Sequence, residues 1–185
     1  MRSLLLLVFA CVLNHHCISQ DSKQIKSRNI KSVTSRTEEV QKDRTELGFE
    51  TTHYDKKGRE IRIEYFNRDS VCFKTEHFEY NRKGRTVLHV TADSSKRKTT
   101  AVEQHYDQWN RLIEKATSEN DELVERIVFR YNNFDDKLSE IHFGKDGKLK
   151  KKILFTYDKR GMLIRRTIEN GDGVIINDKT IQYTY

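Results

Sequence analysis

The chain contains no proline. No turn in it relies on a fixed φ, and no strand is broken by a residue lacking its amide. Cysteine is scarce, with three in 185 residues. Cys11 and Cys17 fall in an apolar leader, so Cys72 stands alone once that leader is removed. That excludes a disulfide framework in the processed chain. Cys72 is expected to be a small core residue. The longest apolar run, Leu4 to Leu13, is too short to span a bilayer as a helix. There is no Cys-x-x-Cys, no His-Glu-x-x-His, no phosphate-cradling glycine loop and no nucleophile motif. The sequence therefore predicts no metal, no cofactor and no catalytic residue. The Asn-x-Ser/Thr sequon is also missing, which fits a bacterial source.

What is present in quantity is charge. Charged residues make up 34% against 35% hydrophobic, a lean supply for a thick core. The 35 Lys and Arg exceed the 28 Asp and Glu, giving a formal charge of +7. Signs alternate along the chain, which reads as a solvated sheet face. Lys145, Lys148, Lys150, Lys151 and Lys152 form one basic cluster, and Lys96-Arg97-Lys98 another. No reading module accompanies them, so specific nucleic-acid binding is not expected, whereas attraction to anionic envelope polymers is reasonable.

Residues 1–19 read as a signal peptide: Arg2, then Leu4 to Leu13, then Cys17-Ile18-Ser19 before a cut at Gln20. Export to a periplasmic or extracellular location follows as an expectation. Residues 20–47 are polar, and apolar residues such as Ile25, Ile30, Val33 and Val40 are sparse. They predict a disordered or loosely held leader, or a short helix near 37–47 that covers a sheet edge.

Residues 48–185 carry a repeat. Tyr54, Tyr80, Tyr106, Tyr131, Tyr157 and Tyr183 recur at steps of 26 residues, once 25. The next residue is Asp or Asn in all five full copies: Asp55, Asn81, Asp107, Asn132 and Asp158. Gly58, Gly84, Asn110, Asp135 and Gly161 follow three later, and these types tolerate positive φ. A second turn lies around Asp69, Asp93, Asp121, Asp146 and Asp172. Two turns in 26 residues leave no room for crossover helices. Glu60 to Tyr65 and Lys152 to Tyr157 alternate at period two. The expected fold is all-β, an antiparallel up-and-down meander of about eleven strands with one dry and one wet face, as an open twisted sheet or a partly closed barrel.

Tyr54–Ile61, Tyr80–Val87, Tyr106–Leu112 and Tyr157–Leu163 resemble the YD-repeat, or Rhs-type, family, whose signature is Tyr-Asp, two variable residues, Gly, a basic residue and an apolar one. The resemblance implies strand–turn architecture and surface exposure. It implies no toxin encapsulation, since the chain is short for a shell, and no Asp-Pro self-cleavage, since proline is absent.

The tyrosines, with Gly58, Gly84 and Gly161, are read as structural, the rings packing as an internal ladder. Trp109, at a turn tip where earlier copies have Lys57 and Lys83, is the candidate contact for a sugar or protein, or else lies over the sheet edge. His53 and His105 precede a tyrosine and face away from it, too far apart to share a metal. The expected function is an exported, non-enzymatic module of a bacterial envelope that binds a protein or glycan. A secreted small-molecule-binding barrel and an outer-membrane barrel are the alternatives, the latter on Ile181-x-Tyr183-x-Tyr185.

Overall fold

Alternating residues broken every dozen positions by Asn, Asp or Gly give one continuous meander. The structure, a computed structural model, describes the backbone of residues 22–41 and 44–184 and the side chains of 22–38 and 47–184. A short helix, α1 (Ser22–Ser27), precedes twelve strands. They are β1 (Ser32–Gln41), β2 (Arg44–Tyr54), β3 (Glu60–Phe66), β4 (Cys72–Tyr80), β5 (Thr86–Asp93) and β6 (Lys98–Tyr106), then β7 (Leu112–Glu119), β8 (Glu122–Tyr131), β9 (Lys137–Gly144), β10 (Leu149–Tyr157), β11 (Leu163–Asn170) and β12 (Ile175–Thr180). All lie in one sheet in sequence order, each antiparallel to its neighbours. The strand positions expected from residue 48 onward are found, with the last ending at Thr180 instead of at Tyr185. The expected signal peptide lies outside the described residues.

The leader differs from expectation. Its described part holds α1, β1 and the start of β2, and β1 pairs with β2 from Ser32↔His53 to Gln41↔Arg44. The described residues near 37–47 are strand, not helix. No apolar face is needed for this. Ser32-Val33-Thr34-Ser35 is rich in β-branched and hydroxyl residues, and an existing strand supplies the template. The helix covers one corner: Ile25 is buried, and Gly58 is packed so closely against Ser22 and Lys26 that no side chain would fit.

Neither barrel alternative holds among the described residues, because β1 pairs only with β2 and β12 only with β11. Eleven intervals of about 4.8 Å make the sheet about 53 Å wide. Closing it would need one face dry enough to fill a small barrel's interior or to meet lipid outside a membrane barrel. Neither is. Ile63, Tyr65, Glu76, Phe78, His89, Phe129 and Phe155 share one face, and Phe49, Glu64, His77, Val90, Arg126, Ile141 and Phe143 the other. Among the described residues the buried apolar side chains are Ile25, Ile63 and Ile153, and none is fully enclosed. The expected dry face is thus corrected: among the described residues no element covers either face beyond the corner under α1. Long cations serve as the cover instead. Lys74 lies over Tyr65 at 4.5 Å, Arg126 over Phe143 at 4.7 Å and Lys137 over Phe129 at 5.2 Å, their stems shielding the rings while their charges stay wet. Cys72, expected in a core, is exposed, since its end of β4 has none to enter.

One irregularity repeats with the sequence. In each hairpin that follows a tyrosine, the second strand carries one extra residue. Tyr54 faces Glu60 while His53 faces Arg62, so Ile61 is the bulge. Val87, Ile113, Leu138 and Ile164 occupy the same place in the later copies. All five are apolar and lie seven residues after their tyrosine. A bulge strengthens local twist and leaves part of the ladder unpaired.

Candidate functional site

The tyrosines end β2, β4, β6, β8 and β10, with Tyr183 just past β12, so all six stand on one rim of the sheet. The bulge explains their spacing. It frees the carbonyl of the residue before it from the ladder, and the next tyrosine fills the gap. Tyr80 Oη donates to the Glu60 carbonyl at 2.7 Å, Tyr106 to Thr86 at 3.0 Å, Tyr131 to Leu112 at 2.9 Å, Tyr157 to Lys137 at 2.9 Å and Tyr183 to Leu163 at 3.0 Å. Each repeat therefore clasps the one before it. The expected ladder of packed rings is a ladder of hydrogen bonds, because two strands separate successive tyrosines. Burial raises the phenols of Tyr80, Tyr131 and Tyr157 above their ordinary value.

The turns beyond the tyrosines share one geometry. The Asp55 amide donates to the Arg59 carbonyl and the Gly58 amide to the Asp55 carbonyl, both at 2.9 Å, and the other four copies do the same. The Asx side chain fastens the loop from within: Asp107 Oδ1 accepts from the amides of Trp109 and Arg111, both at 2.9 Å. Positive φ falls where expected, at Gly58, Gly84, Asn110, Asp135 and Gly161.

Neighbouring turns are stitched together. Lys83 Nζ donates to the Gln108 carbonyl at 2.8 Å. Arg111 donates to Asp107 at 2.7 Å, to the Asn132 carbonyl at 3.2 Å and to Asp135 at 3.0 Å. Its guanidinium also lies 4.8 Å from the Trp109 ring centre and 5.2 Å from that of Tyr131. Burial works to raise the Asp107 carboxyl, but the hydrogen bonds and charge of Arg111 outweigh it and hold the group below its ordinary range.

Trp109 does not lie over the sheet edge. It stands on the turn tip with 65% of its surface exposed. Phe134, at the same place in the next turn, is 86% exposed. Sequence reading singled out the first and missed the second, because the Tyr131 copy departs from the Tyr-Asp-x-x-Gly pattern. Counting three residues on from each tyrosine finds both. A groove of about 730 Å³ opens beside Phe134, between the Asn132 and Asp158 turns, and is lined by Phe134, Leu138, Phe155, Tyr157, Lys159 and Arg160. His53 and His105 lie on the face opposite the tyrosines, and His53 pairs with Glu64 at 2.9 Å. Among the described residues no three His, Cys, Asp or Glu side chains gather as metal ligands would. No helix among them is long and apolar enough to cross a membrane.

Fold and rim together define a class: an open, single-layer antiparallel meander whose repeats are tied by tyrosine clasps. No protein-family model matches the chain, and no curated protein matches it in sequence. Among solved structures it is similar to a porin-like protein from Bacteroides uniformis, at 16% identity and a TM-score of 0.37, over 76% of this chain. The chain spans 56% of that protein's length. A Bacteroides fragilis protein of unknown function aligns at 13% identity and a TM-score of 0.30, over 84% of this chain and 96% of its own. TarM aligns at 8% identity and a TM-score of 0.26, over 88% of this chain and 23% of its own.

Proposed function

We propose that the chain is an exported, non-enzymatic β-repeat module of a bacterial cell envelope, which binds a protein or glycan along its tyrosine rim. The observation that carries this reading is the exposure of Trp109 and Phe134 on adjacent, mutually bonded turn tips beside a groove. Large rings held out in water bury little area against the sheet, and aromatic anchors of this kind dominate contact energies in recognition. Rigidity supports the same reading: Asp107 and Arg111 fix the Trp109 turn before any ligand arrives, which lowers the ordering cost of binding. Turn chemistry of the YD type agrees with a surface-exposed repeat, and the signal-like leader with export.

The test is a glycan array and a pull-down with the chain and with Trp109→Ala/Phe134→Ala. Loss of a ligand in the double variant, with circular dichroism unchanged, supports the reading. A full set of ligands retained by that variant refutes it.

A further inference from the structure

Three residues past each tyrosine, the turn tips present Lys57, Lys83, Trp109, Phe134 and Arg160, all exposed. The order is cation, cation, aromatic, aromatic, cation. Successive tips are two strands apart, so they stand at intervals of about 10 Å. That is near the length of a disaccharide. The five Tyr-side turns together hold nine Lys or Arg and five Asp or Glu, of which Asp55, Asp107 and Asp158 already accept backbone amides. The turns at the other rim (67–71, 93–98, 120–121, 144–148 and 170–174) hold six and five. The near rim thus carries the larger excess of positive charge, and it lies on the turns that flank the rings, since the Trp109 and Phe134 turns themselves hold Arg111 against Asp107, Asp135 and Asp136.

We infer that the ligand of this rim is a linear acidic polysaccharide, lying across the strand ends from tip to tip. This rests on the binding reading above and names its ligand class. Sugar faces stack on Trp109 and Phe134. Carboxylate or sulfate groups on flanking residues meet Lys57, Lys83 and Arg160. The Arg111 guanidinium, 4.8 Å from the Trp109 ring centre and paired with Asp107 and Asp135, holds the indole in place. A flexible acidic polypeptide matches the charge but supplies no rigid apolar face at the tip interval, so the glycan is favoured.

The experiment is titration calorimetry of the full chain with sodium polygalacturonate, dextran and polyglutamate at two salt concentrations. Three variants accompany it: Trp109→Ala/Phe134→Ala, Lys57→Gln/Lys83→Gln and, at the other rim, Arg68→Gln/Lys145→Gln. The expected result is binding of polygalacturonate that weakens with salt, with dextran unbound and polyglutamate weaker. The aromatic and the lysine pair variants each reduce polygalacturonate affinity about tenfold or more, while the other-rim variant does not. Equal binding of both polyanions, unaffected by loss of the two rings, overturns the inference. So does absence of polygalacturonate binding. If neutral glycans or a protein are then captured through Trp109 and Phe134, the acidic ligand class falls and the wider binding reading stands. If nothing is captured through those rings, both fall.

Discussion

Three turns of the far rim, at 67–71, 144–148 and 170–174, repeat the turn of the near rim, but the two rims are fastened differently. At the far rim Asn67 Oδ1 accepts from the Asp69 and Val71 amides, and Asn170 Oδ1 from those of Asp172 and Val174, as Asp55 does on the near rim. Both rims also bulge, with Phe73, Val124, Lys150 and Ile176 as the extra residues on the far side. The near rim answers each bulge with a tyrosine. The far rim is tied by Ser94 Oγ to the Phe73 carbonyl at 2.9 Å, by Asn120 Oδ1 accepting the Thr99 amide at 2.8 Å and by the Lys98–Glu119 ion pair at 2.7 Å. A serine satisfies a carbonyl and covers nothing. A tyrosine satisfies it and lays a ring over the next strand. In a sheet with no second layer among the described residues, that ring adds to the cover that long cations give elsewhere.

Alkaline pH should separate the rims most strongly. The folded-state values of Tyr80, Tyr131 and Tyr157 are raised, and the unperturbed phenol titrates at 10.0. Their contribution to stability is therefore complete below about pH 10 and is lost as pH rises from there through the folded values. A phenolate also has no proton to donate to the clasped carbonyl. Hydrogen exchange followed against pH should show near-rim amides, such as those of Arg111 and Leu112, losing protection before Val174, a far-rim amide remote from the raised phenol of Tyr65 at the 67–71 turn. Simultaneous loss at both rims would remove the distinction.

Single truncations come next. Tyr131→Ala removes a half-buried ring and leaves the Leu112 carbonyl without its partner, at a cost of about 3 kcal/mol. Ser94→Ala removes a hydrogen bond alone, at about 1 kcal/mol. Urea midpoints compare the two, and equal losses would mean that the rings contribute nothing beyond their hydroxyls.

Gly58→Ala and Gly84→Ala sharpen the comparison within the near rim. Both glycines have positive φ, at 77° and 85°. At Gly84 a Cβ meets nothing, so the cost is backbone strain of about 1 kcal/mol. At Gly58 a Cβ would lie 2.5 Å from the Ser22 carbonyl oxygen, so α1 must also move and uncover Ile25. Protease cleavage within residues 22–30 should rise in Gly58→Ala and stay unchanged in Gly84→Ala.

Strands, turns and their period were legible because each is a local property. Tyr-Asx-x-x-Gly states its own hairpin, and Arg62-Ile63-Glu64-Tyr65 its own alternation. What the tyrosines do was not legible, since a clasp joins residues some 20 positions apart across a bulge that leaves no mark in composition. Ile61, Val87, Ile113, Leu138 and Ile164 read as ordinary strand residues. The dry face was misjudged for a related reason. Period two shows that a strand has two faces, but covering one requires a second layer, and whether this chain supplies one is a global fact. β1 was missed because amphipathicity was sought where template pairing suffices. At the candidate site, Trp109 announced itself by rarity, while Phe134, one of nine phenylalanines, did not.

The smallest expected effect lies between two members of the near rim. Tyr157 Oη donates to the Lys137 carbonyl, whereas Tyr106 Oη lies 3.0 Å from the Thr86 carbonyl and 2.9 Å from Gln104 Oε1. A hydroxyl has one proton, so Tyr106 divides it between two acceptors. Tyr157→Phe leaves the Lys137 carbonyl partly buried without a donor, at about 1 kcal/mol. Tyr106→Phe frees Gln104, whose amide can turn and donate to Thr86 in place of the phenol. The cost there should be about half as large. The further change Gln104→Ala, neutral beside an intact Tyr106, should restore the full penalty when combined with Tyr106→Phe. A double-mutant cycle on urea midpoints reads this coupling directly. Additive losses at Tyr106 and Gln104 would mean that water, not glutamine, takes over the carbonyl, and that every clasp on the rim contributes alike.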